Sequence, residues 1–131
     1  HDALQTTMAS KFEYGLWRPV TAIRRADEDG NPDTVQDVNW TPLLGNPAYP
    51  AYAGNHAAIG TSQSTILGLF FGRDDIRFSH TWEGAGGATR HYAGFTAMAN
   101  EEERSRVYGG IHFSFDQVAG QSAGRNVANY V

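Results

Sequence analysis

SRVYGGIHFSFD, residues 105–116, carries a permanent cation (Arg106), a glycine pair (Gly109, Gly110), a histidine (His112) and a carboxylate (Asp116) in close succession. On a helix, positions four apart share one face, so the Asp116 carboxylate can reach a ring nitrogen of His112. A carboxylate there fixes the imidazole's tautomer and makes its other nitrogen a better nucleophile or ligand. The glycines are expected to break the helix between Arg106 and His112 and to let backbone approach a bound group closely. Taken alone, the stretch equally describes a surface arginine beside an ordinary helical His–Asp pair.

The flanking sequence is read as helical. Residues 112–130 form a last helix in which Gly120 and Gly124, four apart, permit close contact with a neighbouring helix. A helix over 95–108 precedes it, with the acidic EEER on its exposed side. Residues 75–91 read as irregular, with IRFSHTW a short extended piece and GAGG a flexible loop. GAGG lacks the flanking strand and the Lys–Ser/Thr of a phosphate-cradling loop. His80 and His91 lie at no metal-ligand spacing and are taken as surface or loop residues.

Further upstream, Asn55 can cap a helix opening at His56, with Ile59, Ile66, Leu67 and Phe70 inside and Gly72 as its stop. His56 then lies in the first turn, among free N–H groups that favour an anion. Gly54 and Asn55 are suited to donating backbone N–H groups to an oxyanion. A helix is also expected over 3–18, its apolar face built from Leu4, Met8, Phe12 and Leu16 and widened by Tyr14 and Trp17. Lys11 and Arg18, seven apart, project from nearly the same side of it, and Pro19 stops or kinks it, or starts a fresh turn over residues 20–25. Between the two helices, residues 27–50 contain Pro42, Pro47 and Pro50. The aromatic and aliphatic content there, including Trp40, Leu43, Leu44 and Tyr49, marks an ordered, packed loop.

With 131 residues, 40% hydrophobic and 18% charged, the chain is expected to form a single soluble domain. A net charge of −4 supplies no basic field for nucleic acid or an anionic membrane. No apolar run reaches bilayer length. Cysteine is absent, which excludes disulfides and thiolate metal sites and leaves the compartment open. The first residue is His1, as in a processed product or a piece of something longer. Against the acidic background, Lys11, Arg18, Arg106, His56, His112 and Asp116 recur near helix ends. Such a set suits one small tetrahedral or trigonal oxyanion.

Two spaced motifs in that set resemble the vanadium-dependent haloperoxidases and the related acid phosphatases of the type 2 phosphatidic acid phosphatase superfamily. The family signature is K-x6-R-P, then P-S-G-H, then S-R-x5-H-x3-D. Lys11-FEYGLW-Arg18-Pro19 matches the first part and Ser105-Arg106-VYGGI-His112-FSF-Asp116 the third. The middle motif departs: Ala53-Gly54-Asn55-His56 stands where the family has Pro-Ser-Gly-His, so a serine hydroxyl that binds the oxyanion is replaced by Gly54. The wording of WRPVTAIR and NWTPLLGNPAYPAY is closer to the bacterial haloperoxidase-like branch than to the lipid phosphatases.

The resemblance implies an all-α helical bundle with a long ordered loop, in which residues 1–131 are a single, partial catalytic domain. By the same resemblance Lys11, Arg18 and Arg106 neutralise vanadate or phosphate, with Gly54 and Asn55 at the backbone positions of the oxyanion site. His112 is the axial vanadium ligand or a phosphatase nucleophile, Asp116 orients it, and His56 is the general acid–base. The position tied to halide preference falls on Tyr49. The implied activity is halide oxidation by hydrogen peroxide with vanadate as cofactor. The alternatives are a phosphomonoesterase working through a phosphohistidine, and a non-catalytic oxyanion-binding or partner subunit. Another chain, a missing N-terminal segment or a second copy is expected to complete the domain. The protein is expected to be soluble, and a periplasmic or secreted location is compatible with the resemblance.

Overall fold

The computed structural model describes residues 1–131 along the backbone and every side chain except that of Ala85. Four long helices, a short one and a small hairpin make up the chain: α1 (Asp2–Tyr14), α2 (Pro19–Arg24), α3 (Asn55–Phe71), β1 (Phe78–Trp82), β2 (Ala88–Tyr92), α4 (Phe95–Tyr108) and α5 (Ser114–Tyr130). The expected helical bundle forms. The segment read as irregular closes into an antiparallel ladder running from Phe78↔Tyr92 to Trp82↔Ala88. Among the described residues, no helix is long and apolar enough to cross a membrane.

Three helix boundaries differ from expectation, that of α3 because Asn55 is its first residue and Gly54, not Asn55, stands at the cap. The helix anticipated over 3–18 ends at Tyr14, because Gly15 takes the left-handed conformation (φ 57°) and its N–H returns to the Lys11 carbonyl. Arg18 then caps α2 and Pro19 opens it, where its missing N–H costs nothing. Lys11 and Arg18 therefore sit on separate helices, yet the turn between them aims both inward. The last helix opens at Ser114 rather than His112, leaving His112 just outside it.

The buried faces also differ. Ala3, Thr7 and Lys11 form the inner stripe of α1, whereas Phe12 is 69% exposed and Leu4 lies at the surface. In α3 the inner face is Ala57, Ala58, Gly60, Thr61 and Ser64, while Ile66 and Phe70 are exposed. The acidic run of α4 is not a solvated face, since Glu103 is buried and Glu101 and Glu102 are half-buried. Apolar periodicity marks a face that prefers to be covered, but not which element covers it. Here the interior is instead small and polar: alanines, Ile111, Lys11, Arg18, His112, Asp116 and Gln117.

Small residues bring α5 against α3. A Cβ added at Gly120 would meet the Gly54 carbonyl oxygen at 2.2 Å, and one at Gly124 the Ala58 carbonyl oxygen at 2.2 Å. The Gly120–Gly124 pair thus does what its spacing implied. The long loop is ordered and packs on Gly109 and Gly110, where Trp40, Pro42 and Leu44 lie within contact distance of the missing side chains. Leu44 N–H also donates to the Gly109 carbonyl at 3.0 Å. These glycines therefore admit the loop, not a bound group.

Candidate functional site

A carboxylate–imidazole–guanidinium chain lies at the centre. Asp116, fully buried, is third in the first turn of α5, where a carboxylate is favoured by the free N–H groups. Its Oδ2 accepts the Phe113 N–H at 3.1 Å, and its Oδ1 accepts from His112 Nδ1 at 2.8 Å. The His–Asp pair forms although His112 is not helical, because the helix cap itself turns the carboxylate back toward the preceding residues. On the far side of the ring, Arg18 Nη1 lies 2.9 Å from His112 Nε2. Arginine offers only donors, so Nε2 must accept and Nδ1 must carry the proton. Burial, first of all, pushes the His112 imidazolium below its usual range, against the opposing pull of Asp116. The imidazole is thus held neutral, with its lone pair at Nε2.

The cations are fixed by backbone carbonyls. Lys11 Nζ donates to Ala51 O (2.6 Å) and Ala53 O (2.7 Å), which leaves one ammonium proton free. Burial and the neighbouring Arg18 lower its pKa to about 8. Arg18 donates from Nε to Tyr49 O (2.9 Å) and from Nη1 to Ile111 O (2.8 Å), and its guanidinium lies 5.1 Å from the Tyr49 ring centre. Arg106 projects from the last turn of α4. Arg18 Nη2 and Arg106 Nε are both buried and bond no protein acceptor. Orphaned charged donors of this kind are costly unless an anion meets them.

His56, the second residue of α3, lies among these cations. Its pKa is depressed to about 4, chiefly by burial and then by Arg106, with His112, Lys11 and Arg18 adding to the effect. The six residues singled out as a constellation therefore converge. Gly54 and Asn55 lie at the same helix start, but less as donors than expected. The Gly54 N–H is committed to the Asp116 carbonyl at 2.9 Å. Asn55 donates its side-chain amide to Met8 Sδ at 3.2 Å, leaving its Oδ1 buried and unpaired. Of the two, only Asn55 keeps a backbone N–H without a protein acceptor.

His56 and Arg106 face a cleft of about 810 Å³ between α3, α4 and the hairpin, with Trp82, Tyr92 and Glu102 on its walls. Burial raises the Glu102 carboxyl above the usual range, and Arg106 offsets this in part. His80 also lines this cleft, whereas His91 bonds Ser79 across the hairpin at 2.7 Å. The sequence does not single out Gln117, and marks Tyr49 only for the packed loop and for halide preference, not for a contact with Arg18. Gln117 Nε2 donates to Asp116 Oδ1 at 2.8 Å, and Tyr49 supplies both a carbonyl and a ring face to Arg18. Neither residue type marks a site by itself; only their positions do.

The donor set suits a small oxyanion. Three cations point inward, two guanidinium nitrogens await an acceptor, and the one imidazole lone pair, at His112 Nε2, is met by Arg18 Nη1. Such a group fits vanadate or phosphate better than a metal cation.

A family model described as the VCPO second helical-bundle domain matches residues 1–131. Among solved structures, the first bacterial vanadium-dependent iodoperoxidase is similar with a TM-score of 0.83 and 29% identity, over 98% of this chain and 29% of that one. An apo-type bacterial vanadium-dependent chloroperoxidase is similar with a TM-score of 0.79 and 18% identity, over 98% of this chain and 32% of that one. The holo-type chloroperoxidase gives 0.68 and 20%, over 86% and 28%. Comparison with curated proteins gives no match. The chain spans roughly three-tenths of each of these solved relatives.

Proposed function

Because this chain belongs to the family of the VCPO second helical-bundle domain, we propose that it carries the vanadate-binding site of a haloperoxidase that oxidises halide with hydrogen peroxide. One observation carries this reading: His112, held by Asp116, turns Nε2 toward Arg18, whose Nη2, like Arg106 Nε, is buried with no protein partner. Vanadate, when bound, supplies Lewis-acid activation of peroxide. Lys11, Arg18 and Arg106 would hold its oxygens, and His112 Nε2, once given up by Arg18 Nη1, would be its protein ligand. Asp116 retains the Nδ1 proton and so keeps the Nε2 lone pair directed inward. His56, with its pKa depressed to about 4 in the free protein, would accept a proton from an oxygen of the bound group and return it later. Trp82, Tyr92 and Glu102 flank the cleft by which halide and peroxide reach this histidine.

The exposed Leu4–Phe12 side of α1 and the Ile66–Phe70 side of α3 are assigned to contact with the remainder of a longer protein or a second copy. The domain is accordingly read as partial, in keeping with its share of the relatives' length. The same residues could serve a phosphomonoesterase, with His112 as nucleophile and His56 as general acid. The test uses the full-length protein. Vanadate-dependent, peroxide-driven bromination of a dione reporter that is lost in His112→Ala supports the proposal. Phosphate release from an aryl phosphate, inhibited by vanadate, would replace it with the hydrolase. Absence of both in folded protein would leave a non-catalytic oxyanion-binding subunit.

A further inference from the structure

We propose that Gln117 is a positioning residue for the Asp116–His112 pair, and that position 54 is glycine because any side chain there would displace the Gln117 amide. This rests on the reading of His112 as the residue that meets the oxyanion, though its test does not require turnover. Gln117 is fully buried beside Asp116 at the start of α5. Its Nε2 donates to Asp116 Oδ1 at 2.8 Å, the same oxygen that accepts from His112 Nδ1. Since that oxygen only accepts, the orientation of the amide is set by chemistry: nitrogen toward Asp116.

The rest of the amide is poorly served. Gln117 Oε1 is buried with no partner. An aliphatic side chain of the same volume would fill this space without an orphaned carbonyl, so packing alone does not account for glutamine. What the amide does supply is a second donor on the carboxylate oxygen that holds the imidazole. With Phe113 N–H on Oδ2, the carboxylate is pinned on both oxygens and cannot rotate away from His112.

Gly54 supplies the space. A Cβ built on it would stand 2.3 Å from Gln117 Nε2, 2.7 Å from Cδ and 3.0 Å from Oε1. The amide is the far end of a flexible side chain, so the cheapest relief is to move it and sever its bond to Asp116. Backbone movement is the harder route, because the Gly54 N–H bonds the Asp116 carbonyl and the Gly54 carbonyl lies against Gly120. Gly54 and Gln117 are therefore two halves of one device. A methyl at position 54 should act on His112 without touching it.

The experiment compares full-length wild type with Gln117→Met, Gly54→Ala and the double variant, in two readouts. The first is nitrogen-15 NMR of the His112 ring, which reports Nδ1 protonation and the exchange of that proton with water. The second is the affinity for vanadate by calorimetry. Each single variant is expected to speed exchange of the Nδ1 proton by roughly tenfold or more, the factor implied by losing a hydrogen bond to a charged group. Each should also weaken vanadate binding by a similar factor. The double variant should be no worse than the more severe single one, since both remove one interaction. Unchanged Nδ1 exchange in folded Gln117→Met, or effects of the two single changes that add in full, would overturn the proposal. If Gln117→Met does not fold, Gly54→Ala carries the test alone, and an unaltered His112 spectrum there refutes it. A failure of peroxidase turnover with the spectral effects intact would count against the proposed activity and not against this device.

Discussion

Asp116→Asn tests the centre of the site, because the native carboxylate uses both oxygens as acceptors only. Oδ1 takes His112 Nδ1–H and Gln117 Nε2–H, and Oδ2 takes Phe113 N–H. An asparagine keeps one oxygen. If it stays at the Oδ1 position, the new NH2 faces the Phe113 N–H, donor against donor. In the flipped orientation the NH2 faces His112 and Gln117, and the imidazole must move its proton to Nε2, opposite Arg18 Nη1 at 2.9 Å. Each orientation forfeits at least one hydrogen bond to a charged group, worth about 1.5–3 kcal/mol. Urea unfolding should therefore show a loss of about 2 kcal/mol. Ligand binding separates this from simple damage. Phosphate needs only the cations, which lose their nearest counter-charge and hold it at least as well. Vanadate needs the Nε2 lone pair, so the vanadate-to-phosphate affinity ratio should fall about ten- to a hundredfold. An unchanged ratio, with unchanged unfolding free energy, would refute the role given to Asp116.

Other expectations follow from the same geometry. His56, with its pKa near 4 in the free protein, should take up a proton when an oxyanion offsets its cationic neighbours. Calorimetry near pH 6 in buffers of different ionisation heat should show net proton uptake on vanadate binding, absent in His56→Ala. In the unliganded protein the unfolded chain binds the extra proton first. Stability should thus fall as pH drops from about 6.5 to about 4, by at most about 1.4 kcal/mol per pH unit for this group, and His56→Gln should flatten that slope. Lys11 loses its charge near pH 8, so oxyanion affinity should decline above that pH, and an inflection persisting unchanged in Lys11→Met would assign it elsewhere. Gly120→Ala would drive a Cβ to 2.2 Å from the Gly54 carbonyl oxygen, which backbone movement alone can relieve. A loss of about 1–3 kcal/mol in unfolding free energy is expected, with weaker vanadate binding, and full retention of both would contradict the packing of α5 on α3.

Much of this protein was legible as a string of residues. The residue types at Lys11, Arg18, His56, Arg106, His112 and Asp116 suggested an oxyanion site, and the family resemblance of their motifs, not spacing alone, implied a cationic cup around a carboxylate-held imidazole. The four long helices and the Gly120–Gly124 contact were equally accessible, since helix stops and small-residue stripes act locally. Tertiary packing decided the rest. Leu4, Phe12 and Phe70 face outward, and Thr7 and Lys11 inward, because apolar periodicity records a preference for cover without naming the covering surface. Gln117 and Tyr49 gained roles, and Gly54 exchanged that of donor for that of space, because a hydrogen bond or a clash depends on ångström-scale distances between segments far apart in the chain. The proton on Nδ1 of His112, and hence the lone pair on Nε2, was settled by Asp116 on one side and Arg18 on the other, an arrangement that exists only in the folded chain.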